Sequence, residues 1–193
     1  LQAGRERVYF HCRQELHART KTDALCLAGG VALNSVANGM IFDRTPFRRV
    51  YVQPAAGDDG TALGAAYWVL HHALGQPRSF RMDHANTGPR FENSEILTAL
   101  DAAGVSAVKL DEPALLERTA QAIADGKIVG WFQGSMEWGP RALGNRSIVA
   151  HPGHPRMKEI LNARIKHREW FRPFAPSILA ERLGEYFEHS HPS

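Results

Sequence analysis

The sequence predicts an α/β fold, because helical and strand-like patterns alternate along the chain. Residues 5–75 give the order α-β-α-β-α, which favours a sheet with helices packed on it. A second alternation begins near residue 94, after a segment without periodicity. The composition, with 44% hydrophobic and 22% charged residues in a chain of 193, is that of an ordinary globular protein. We therefore expect two α/β units.

The first unit is predicted as five elements in chain order. They are a helix over 5–19, a strand over 24–27, a helix over 31–42, the strand in "RRVYVQP" that Pro54 stops, and the helix "GTALGAAYWVLHHALG" that Gly75 closes. In the first helix Val8, Cys12 and Leu16 share one face through their i, i+4, i+8 spacing. His71 and His72 are adjacent, whereas a metal-binding pair on a helix needs i, i+4 spacing, so we interpret them as packing residues.

Residues 76–93 contain two prolines, one glycine and many polar residues, and this composition predicts a linker. After it the sequence predicts helices over 94–103, 113–125 and 155–166, strands over 105–110, 127–133, 147–150 and 173–179, and a last helix from about Glu181. The chain opens at Leu1 in helix-like sequence and closes on "EHSHPS". We interpret it as a fragment of a longer protein, with the end of one domain and the start of another.

Charge and hydropathy exclude several classes of function. Lys and Arg number 23 against 20 Asp and Glu, a formal net charge of +3, which does not suit a nucleic-acid tail or a polybasic membrane patch. No apolar run reaches the roughly 20 residues of a membrane span. We expect a cytoplasmic protein with neither nucleic acid nor a membrane as partner. Cys12 and Cys26 offer at most one disulfide and are interpreted as reduced thiols.

Two glycine-containing turns of the first unit predict a nucleotide site. The stretches "CLAGGVALNSVANG" (26–39) and "QPAAGDDGTALGAA" (53–66) each lead from a strand through small residues into a helix. Free backbone N–H groups at a helix N-terminus attract phosphate, and glycines let its oxygens approach. The alternative interpretation is close-packed glycines and N-capping aspartates. The expected site residues are Gly29, Gly30 and Gly57 at phosphate, Asn34 at a ribose or base, and Asp58 and Asp59 at a cation that bridges phosphate oxygens.

A second site is predicted where glycines and cations are interleaved, in "GWFQGSMEWGPRALGNRSIVA" (130–150) and "NARIKHREWFRPFAPSI" (162–178). Planar guanidiniums bind phosphate or carboxylate through two hydrogen bonds, and Lys adds a mobile charge. A triphosphate, or two anionic substrates side by side, would need such a set, so we favour an anion pocket. Its candidate residues are Arg141, Asn145, Arg146, Ser147, Lys166, Arg168 and Arg172.

The alternative for these two segments is a solvated basic face with turn glycines. We assign Lys158, Arg164 and His167 to such a face, and we expect Glu137 to pair structurally with one of the arginines. The tryptophans are interpreted as core residues or pocket walls: Trp131, Trp138 and Trp170.

Four stretches together resemble the nodulation- and antibiotic-type O-carbamoyltransferases: "LAGGVALNSVANG", "QPAAGDDGTALGAA", "FQGSMEWGPRALGNRSIVA" and "NARIKHREWFRPFAPSIL". The resemblance implies the end of an ASKHA (actin/sugar-kinase-like) domain over residues 1–80, a linker over 81–92, and a truncated YrdC-like α/β twisted-sheet domain over 93–193. It implies a two-step biosynthetic enzyme. The YrdC-like domain would form carbamoyl adenylate from ATP and carbamoyl phosphate, and the ASKHA-like domain would pass the carbamoyl group to a hydroxyl of a small-molecule acceptor such as a sugar or an antibiotic.

The resemblance also implies the roles of particular residues. Lys166 and Arg168, followed by Pro173, match the Lys-x-Arg that grips anionic substrates in YrdC-like proteins, and they are the expected catalytic residues. Asp58 matches an aspartate that helps to bind a metal, usually iron, in addition to the magnesium that accompanies ATP. The nucleotide-contacting turn is matched by Gly29, Gly30 and Asn34.

Two departures from the family's pattern limit what this chain does alone. The metal-binding histidines of relatives lie before Leu1, and the latter part of the YrdC-like domain is missing, so we expect the chain by itself to be inactive. Two other functions stay open. One is a threonylcarbamoyl-adenylate synthase-type enzyme of tRNA modification, against which the lack of a basic stripe argues weakly. The other is a non-catalytic nucleotide-binding module.

Overall fold

Helices and short strands alternate over residues 2–188, the part of the chain that the computed structural model describes. The predicted α/β class is therefore confirmed. The described residues form two compact units: unit 1 holds residues 2–83, 138–141 and 179–188, and unit 2 holds residues 84–137 and 142–178. No helix among the described residues is both long and apolar enough to cross a membrane. The predicted domain division, 1–80, 81–92 and 93–193, stays a prediction.

Unit 1 contains the elements predicted before residue 75, with corrected ends. They are the helices α1 (Gln2–Thr20), α2 (Ser35–Gly39), α3 (Ile41–Arg44) and α4 (Thr61–Trp68), and the strands β1 (Ala24–Leu27) and β2 (Arg49–Val52). The two strands run parallel, with Leu25 opposite Val50 and Leu27 opposite Val52. Parallel neighbours need a crossover connection, and α2 and α3 supply it. Helix α4 continues as a π-helical turn, Val69–Ala73, and stops before Gly75 as predicted.

The core of unit 1 lies between the two strands, α1 and the crossover. Its buried apolar residues are Tyr9, Phe10, Leu25, Leu27, Ala32, Ala37, Ile41, Phe47 and Ala56. Burying a large apolar side chain contributes about 1.5–3 kcal/mol. The face predicted for α1 does not point into this core, because Val8 is 64% exposed, Leu16 is 43% exposed and Cys12 is exposed as well. Tyr9 and Phe10, one and two positions after Val8, are buried instead.

The helix predicted over 31–42 is interrupted twice. Residues Gly30–Leu33 form a 3₁₀ turn, after which Asn34 leaves the helical region with φ −80° and ψ +87°. The Oδ1 atom of Asn34 accepts a hydrogen bond from the Ala37 N–H at 3.3 Å and so caps α2. Met40 then separates α2 from α3. The stretch after β1 is therefore a turn and two short helices, not one helix.

Along the sequence of unit 2, two helices precede a two-stranded sheet and one helix follows it. Its elements are α5 (Asn93–Ala102), α6 (Glu112–Ala124), β3 (Val129–Phe132), β4 (Arg146–Val149), and α7 (Met157–Ile160), which continues as a π-helical turn, Leu161–Ile165. Strands β3 and β4 are antiparallel, with Phe132 opposite Arg146. A capping box between Glu92 and Glu95 begins α5. Helix α8 (Leu183–Tyr186) belongs to unit 1. The linker predicted over 76–93 contains no regular element before α5.

Two strands predicted in the second half of the chain do not form. Residues 105–110 and 173–179 have extended or irregular backbone without strand pairing. Val105 and Val108 are 53% and 72% exposed, so the apolar alternation there does not mark a buried sheet face. Pro173 and Pro176 lack the N–H groups that a strand needs to pair. The two-stranded sheets formed by β1–β2 and β3–β4 are the sheets of the described residues.

Candidate functional site

The two glycine turns of unit 1 lie side by side at the carboxyl ends of β1 and β2. Gln53 N–H donates to Leu27 C=O at 3.1 Å, and Gly29 N–H donates to Ala56 C=O at 2.6 Å. The expectation that the N–H groups of the first turn are free is therefore wrong for Gly29. Its φ of +93° is a conformation that favours glycine. A Cβ built on Gly29 or Gly30 would meet no atom within 4 Å, so the turn is open on that side.

Asn34 and Asp58 lie at this pair of turns with different partners. Besides capping α2, Asn34 exchanges hydrogen bonds with the Gln2 side chain, at 3.3 and 3.5 Å. Asp58 follows Gly57 and begins a 3₁₀ turn, Asp58–Gly60, that leads into α4. Its backbone C=O accepts a hydrogen bond from Thr61 Oγ1 at 2.6 Å, and the residue is exposed. Thus Gly57 and Asp58 stand at the entrance of a helix, as predicted.

Among the described residues, Asp58 is not part of a group of side chains that could hold a metal ion. Among residues 2–188 no three or more His, Cys, Asp or Glu side chains are grouped closely enough to hold a metal ion. The predicted iron site therefore does not fit this chain alone, and no reaction step is derived through a metal here. An exposed carboxylate such as that of Asp58 could supply one oxygen ligand of a larger set.

The segment Trp138–Arg141 belongs to unit 1, although the residues on either side of it belong to unit 2. Gly139 lies against the second glycine turn: a Cβ built on it would be 2.6 Å from Pro54 O and 3.0 Å from Ala55 N. The φ of Gly139 is +103°, so both the contact and the backbone conformation require glycine. Arg141 is the last residue of this segment.

In unit 2 the basic, glycine-rich segment is organised around one buried carboxylate, that of Glu137. Its Oε1 accepts the backbone N–H groups of Leu143 at 2.8 Å and Asn145 at 2.6 Å. Its Oε2 accepts Arg146 Nε at 2.9 Å. The Glu137 side chain is fully buried, and that of Arg146 is 30% exposed. The structural pairing expected for Glu137 is confirmed, and it occupies Arg146, a predicted anion-binding residue.

The hydrogen bonds to Glu137 decide its charge. Burial acts to raise the pKa of this carboxyl, but the N–H groups of Asn145 and Leu143 and the Arg146 guanidinium outweigh burial and lower the pKa to about 2. Glu137 is therefore an anion at neutral pH and holds the loop 143–146 through charge-assisted hydrogen bonds.

Asn145 and Ser147 flank this ion pair. Asn145 Nδ2 donates to Ser135 C=O at 2.7 Å, and the Asn145 C=O accepts the Gln133 N–H at 3.0 Å. Ser147 lies on β4 opposite Trp131. Both residues are half-buried and their backbone belongs to the β3–β4 hairpin. They are thus fixed in place beside Arg146, whose main chain they flank.

The Lys-x-Arg segment is held by Asn162, a residue that the sequence reasoning missed. Asn162 is completely buried. Its Oδ1 accepts Arg168 Nε at 2.8 Å, and its Nδ2 donates to the carbonyls of Trp170 at 3.2 Å and Arg172 at 2.9 Å. The available signal was a polar side chain next to the apolar pair Met157 and Leu161, which are buried on the same helical segment. Asn162 therefore sets the position of the Arg168 guanidinium.

The residue between Lys166 and Arg168 has an unusual backbone. His167 has φ +46°, the left-handed region that residues other than glycine seldom adopt. Arg168 N–H then donates to Asn162 C=O at 3.0 Å, and Lys166 N–H donates to Leu161 C=O at 2.9 Å. The Lys166 side chain is exposed. Both predicted catalytic residues are thus tied to the end of the same helical segment.

The remaining predicted cation, Arg172, is neutralised locally. Its Nε donates to Glu169 Oε2 at 2.8 Å, and this pair is half exposed. Hydrogen bonds from its own backbone and from Arg172 lower the pKa of Glu169. A groove of about 380 Å³ beside Arg168 is lined by Arg156, Arg164 and the exposed Trp170. Arg164, which the sequence placed on a solvated face, therefore shares a groove with Arg168.

An open cavity in unit 1 was not anticipated. It has a volume of about 570 Å³ and is lined by the aromatic residues Tyr67, Trp68 and Phe80 together with His71 and His72. His71 stacks on Tyr67 at 5.6 Å and His72 stacks on Trp68 at 5.9 Å. Neither histidine is buried, so both pack against neighbouring rings on the surface of the helix and not in a core. The sequence signal was the concentration of rings in "YWVLHH" followed by "RSFR".

The predicted residues therefore fall into two groups, each within one unit. Unit 1 brings together Gly29, Gly30, Asn34, Gly57, Asp58 and Arg141. Unit 2 holds Asn145, Arg146, Ser147, Lys166, Arg168 and Arg172. In the first group, Gly29, Gly30, Asn34, Gly57 and Asp58 lie at the two adjoining glycine turns. The second is a set of cations fixed by Glu137 and Asn162, which suits the binding of anions.

Comparison with known proteins connects both groups to one kind of enzyme. The family model for the carbamoyltransferase N-terminus matches residues 1–67, and that for the carbamoyltransferase C-terminus matches residues 120–193. The nodulation protein NolNO of Sinorhizobium fredii is 41% identical over 97% of this chain and 28% of its own length. The 3'-hydroxymethylcephem-O-carbamoyltransferase of Streptomyces clavuligerus is 37% identical over 84% of this chain and 29% of its own length.

A third relative is an uncharacterized protein of a Synechocystis species, 46% identical over the whole chain and 32% of its own length. The chain therefore spans about a third of the length of the curated relatives it matches. The first model ends within α4, and the second covers both basic stretches, residues 130–150 and 162–178.

Proposed function

The chain belongs to the carbamoyltransferase family, and on that premise we propose that the full-length protein is an O-carbamoyltransferase acting on a small-molecule hydroxyl. The observation that carries the proposal is that both family models match in order, one over the candidate residues from Gly29 to Asp58 and the other over those from Arg141 to Arg172. A relative named as an O-carbamoyltransferase, 37% identical over 84% of the chain, supports the reaction class. The finer assignment of an ASKHA-like and a YrdC-like domain is part of the same proposal.

The proposed reaction has two steps. In the first, carbamoyl phosphate and water give carbamate and inorganic phosphate; a carbamate oxygen then bonds to the α-phosphorus of ATP, and pyrophosphate leaves with the electron pair. In the second, the acceptor hydroxyl oxygen bonds to the carbamoyl carbon, the bond from that carbon to the AMP phosphate oxygen breaks, and AMP leaves with the electron pair. The hydroxyl proton passes to solvent.

The cations of unit 2 suit the first step. Negative charge accumulates on the α-phosphate and on the departing pyrophosphate, and fixed cations stabilise such charge better than mobile ones. Arg168 is fixed by Asn162 at 2.8 Å, whereas the exposed Lys166 is a flexible charge at the other end of the Lys-x-Arg. We assign these two residues to the binding of ATP and carbamoyl phosphate, with Arg172 at the edge of the site.

Arg146 has a different part in this proposal. Its Nε is engaged by Glu137, but a guanidinium carries four further N–H donors. With Asn145 and Ser147 beside it on the β3–β4 hairpin, it would hold phosphate oxygens while Glu137 fixes its direction.

The glycine turns of unit 1 suit the second step. Gly29, Gly30 and Gly57 let a phosphate approach the backbone, and Asn34 offers an amide to the ribose or base. Asp58 is assigned as one oxygen ligand of the metal site that the family resemblance implies, and among residues 2–188 no group of three or more metal-binding side chains includes it. Water must be kept from the adenylate, a mixed anhydride, until the acceptor is in place.

The test is carbamoyl-phosphate-dependent exchange of labelled pyrophosphate into ATP by the full-length protein. We expect exchange in the wild type and a loss of about 100-fold or more in Lys166→Ala and Arg168→Ala. The exposed residues Lys109 and Arg118 provide matched controls, Lys109→Ala and Arg118→Ala, which should exchange as the wild type does. Folded wild-type protein without exchange would contradict the proposal and leave a nucleotide-binding module as the better description.

A further inference from the structure

We propose that Asn38 is a positioning residue for the first glycine turn of unit 1, residues 29–33, and that it acts together with Tyr9 of α1. The inference rests on the proposed function, in which Gly29 and Gly30 approach the phosphate of the adenylate. Neither Asn38 nor Tyr9 is assigned a contact with the nucleotide. Their effect passes through the backbone of Ala32, which lies in the 3₁₀ turn after the two glycines.

The side chain of Asn38 joins the turn to α1 through two short hydrogen bonds. Its Nδ2 donates to the Ala32 C=O at 2.7 Å, and its Oδ1 accepts the Tyr9 O–H at 2.7 Å. Because a backbone carbonyl can only accept, the amide nitrogen must face Ala32, and the amide oxygen is then left for the tyrosine hydroxyl. Both partners therefore require the same orientation of the amide.

On the side of the turn, Ala32 is bonded through both of its backbone groups. Its N–H donates to the Gly29 C=O at 2.9 Å, and its C=O accepts the Asn38 amide. Ala32 is also 3% exposed and belongs to the core cluster, so its backbone has little room to shift. The Asn38 amide is thus only two hydrogen bonds away from Gly29, whose φ of +93° shapes the turn.

On the side of the helix, Tyr9 is held firmly. Its side chain is buried, and its ring meets the ring of Phe10 edge to face with 5.3 Å between the centroids. The guanidinium of Arg13 lies 3.2 Å from the centroid of the Tyr9 ring, and Arg13 Nη1 donates to the Tyr9 C=O at 3.0 Å. The Tyr9 hydroxyl is therefore a fixed donor for Asn38.

The first glycine turn consequently has two anchors of different kinds. The backbone bond from Gly29 N–H to Ala56 C=O joins it to the second glycine turn, whereas the Asn38 side chain joins it to α1. Groups that bind a ligand must be held within about 0.5 Å of the productive geometry. Loss of the Asn38 bridge should therefore weaken nucleotide binding, although it removes no group that touches the nucleotide.

The experiment is a titration of the full-length protein with 8-azido-AMP, followed by photolabelling and competed by AMP. Mass spectrometry maps the label to the peptides that contain residues 26–39 or 53–66. Each titration gives a half-saturating concentration and a maximum of labelling. The pyrophosphate exchange described above is measured on the same samples, because it reports on the step assigned to unit 2.

Asn38→Ala should raise the half-saturating concentration about tenfold and leave the maximum of labelling unchanged. Tyr9→Phe removes only the hydroxyl and should raise it about threefold. The double variant should be no weaker than Asn38→Ala alone, because the hydroxyl acts only through the amide. Pyrophosphate exchange should stay within about twofold of the wild type in all three. The matched controls, at exposed positions, are Asn86→Ala and Tyr186→Phe, and neither should change labelling or exchange.

A purely structural role for Asn38 predicts a different pattern. The maximum of labelling would then fall with an unchanged half-saturating concentration, and the effects of the two substitutions would multiply in the double variant. Either result would overturn the inference, as would normal binding in Asn38→Ala and Tyr9→Phe. Failure of the proposed nucleotide site is recognised separately: the wild type itself would then label neither peptide, and the inference would fall with it.

Discussion

Unit 1 and unit 2 hold their candidate residues in place by different interactions. In unit 1 the turns join through the backbone, Gly29 to Ala56, above a cluster of buried apolar side chains. In unit 2, two buried polar side chains hold the candidate residues through hydrogen bonds: Glu137 binds the loop 143–146, and Asn162 binds the Lys-x-Arg segment. The backbone of unit 1 therefore owes its order to shape and packing, while that of unit 2 owes it to charge and hydrogen bonding.

This difference predicts which changes should destabilise each unit. Backbone contacts and apolar packing do not titrate, so unit 1 should tolerate a wide range of pH and fail when volume is removed. A buried polar side chain is strong only while all its partners are present. Unit 2 should therefore fail when a single acceptor or donor is lost, or when its carboxylate is protonated.

The largest effect is expected from Phe47→Ala. Phe47 has no exposed surface and lies in the core cluster of unit 1. Its truncation removes apolar burial and leaves a cavity, which typically costs about 3–5 kcal/mol. Peptide-resolved hydrogen exchange of the full-length protein should show faster exchange in β1 and β2. Phe80→Ala, at a position that is 58% exposed, is the control and should change exchange little.

The next effect is expected from Glu137→Gln, about 2–3 kcal/mol, because an amide offers one acceptor where the carboxylate serves three donors. Faster hydrogen exchange should be confined to the loop 143–146 and β4. If β1 and β2 respond as strongly, the contrast between the two units is wrong. Glu159→Gln, an exposed partner of Arg156, serves as the control.

Acid should act through the same carboxylate. Since the pKa of Glu137 is lowered from 4.5 to about 2, its stabilisation is fully present above pH 4.5 and is lost as the pH falls toward 2. Hydrogen exchange of the loop 143–146, corrected for the intrinsic pH dependence, should accelerate over this window in the wild type. The Glu137→Gln variant should show no such window.

A smaller effect, about 1–2 kcal/mol, is expected from Asn162→Ala, which leaves the carbonyls of residues 170 and 172 and the Arg168 Nε without their partner. Its diagnostic consequence is functional. In the pyrophosphate-exchange assay, the variant should bind ATP more weakly and show a raised KM for ATP, because Asn162 no longer orients Arg168. Asn86→Ala, at an exposed position, should leave KM unchanged.

The smallest effect is expected from Arg49→Ala. Arg49 and Asp23 form an ion pair at 2.8 Å, but their side chains are 72% and 56% exposed. Exposed ion pairs contribute little to stability and are screened by salt. Thermal unfolding should shift by little at low salt and not at all at high salt. A large shift would mean that charge matters more to unit 1 than its packing indicates.

The sequence predicted those features that local patterns determine. The strand at 24–27, the end of the long helix before Gly75 and the beginning of α6 near residue 113 follow from apolar runs and terminators. The broken helix after β1 was not predicted, because Asn34 is as acceptable inside a pattern as it is at a cap. The strand predicted over 105–110 does not form, because a strand must pair with a second strand and a local sequence pattern does not identify that partner.

The candidate sites show the same limit. Cations and glycines can be counted in a sequence, so Lys166, Arg168 and Gly29 could be proposed from it as site residues. Which cation is already neutralised cannot be counted: the pairing of Arg146 with Glu137 over nine positions, and the burial of Asn162, arise from tertiary packing. The close contact of Gly139 with Pro54 likewise joins two backbone segments that are far apart in the sequence.

The left-handed backbone at His167 has a consequence for how this segment tolerates sequence change. A residue with a Cβ pays about 1–2 kcal/mol to adopt this conformation, so glycine at 167 would make the protein more stable. The same glycine would widen the range of directions open to Lys166 and Arg168, which in the proposed function bind the same anionic substrates. Selection for thermal resistance alone would therefore favour His167→Gly, whereas selection for reaction rate would oppose it. At position 167, stability and activity thus favour different residues.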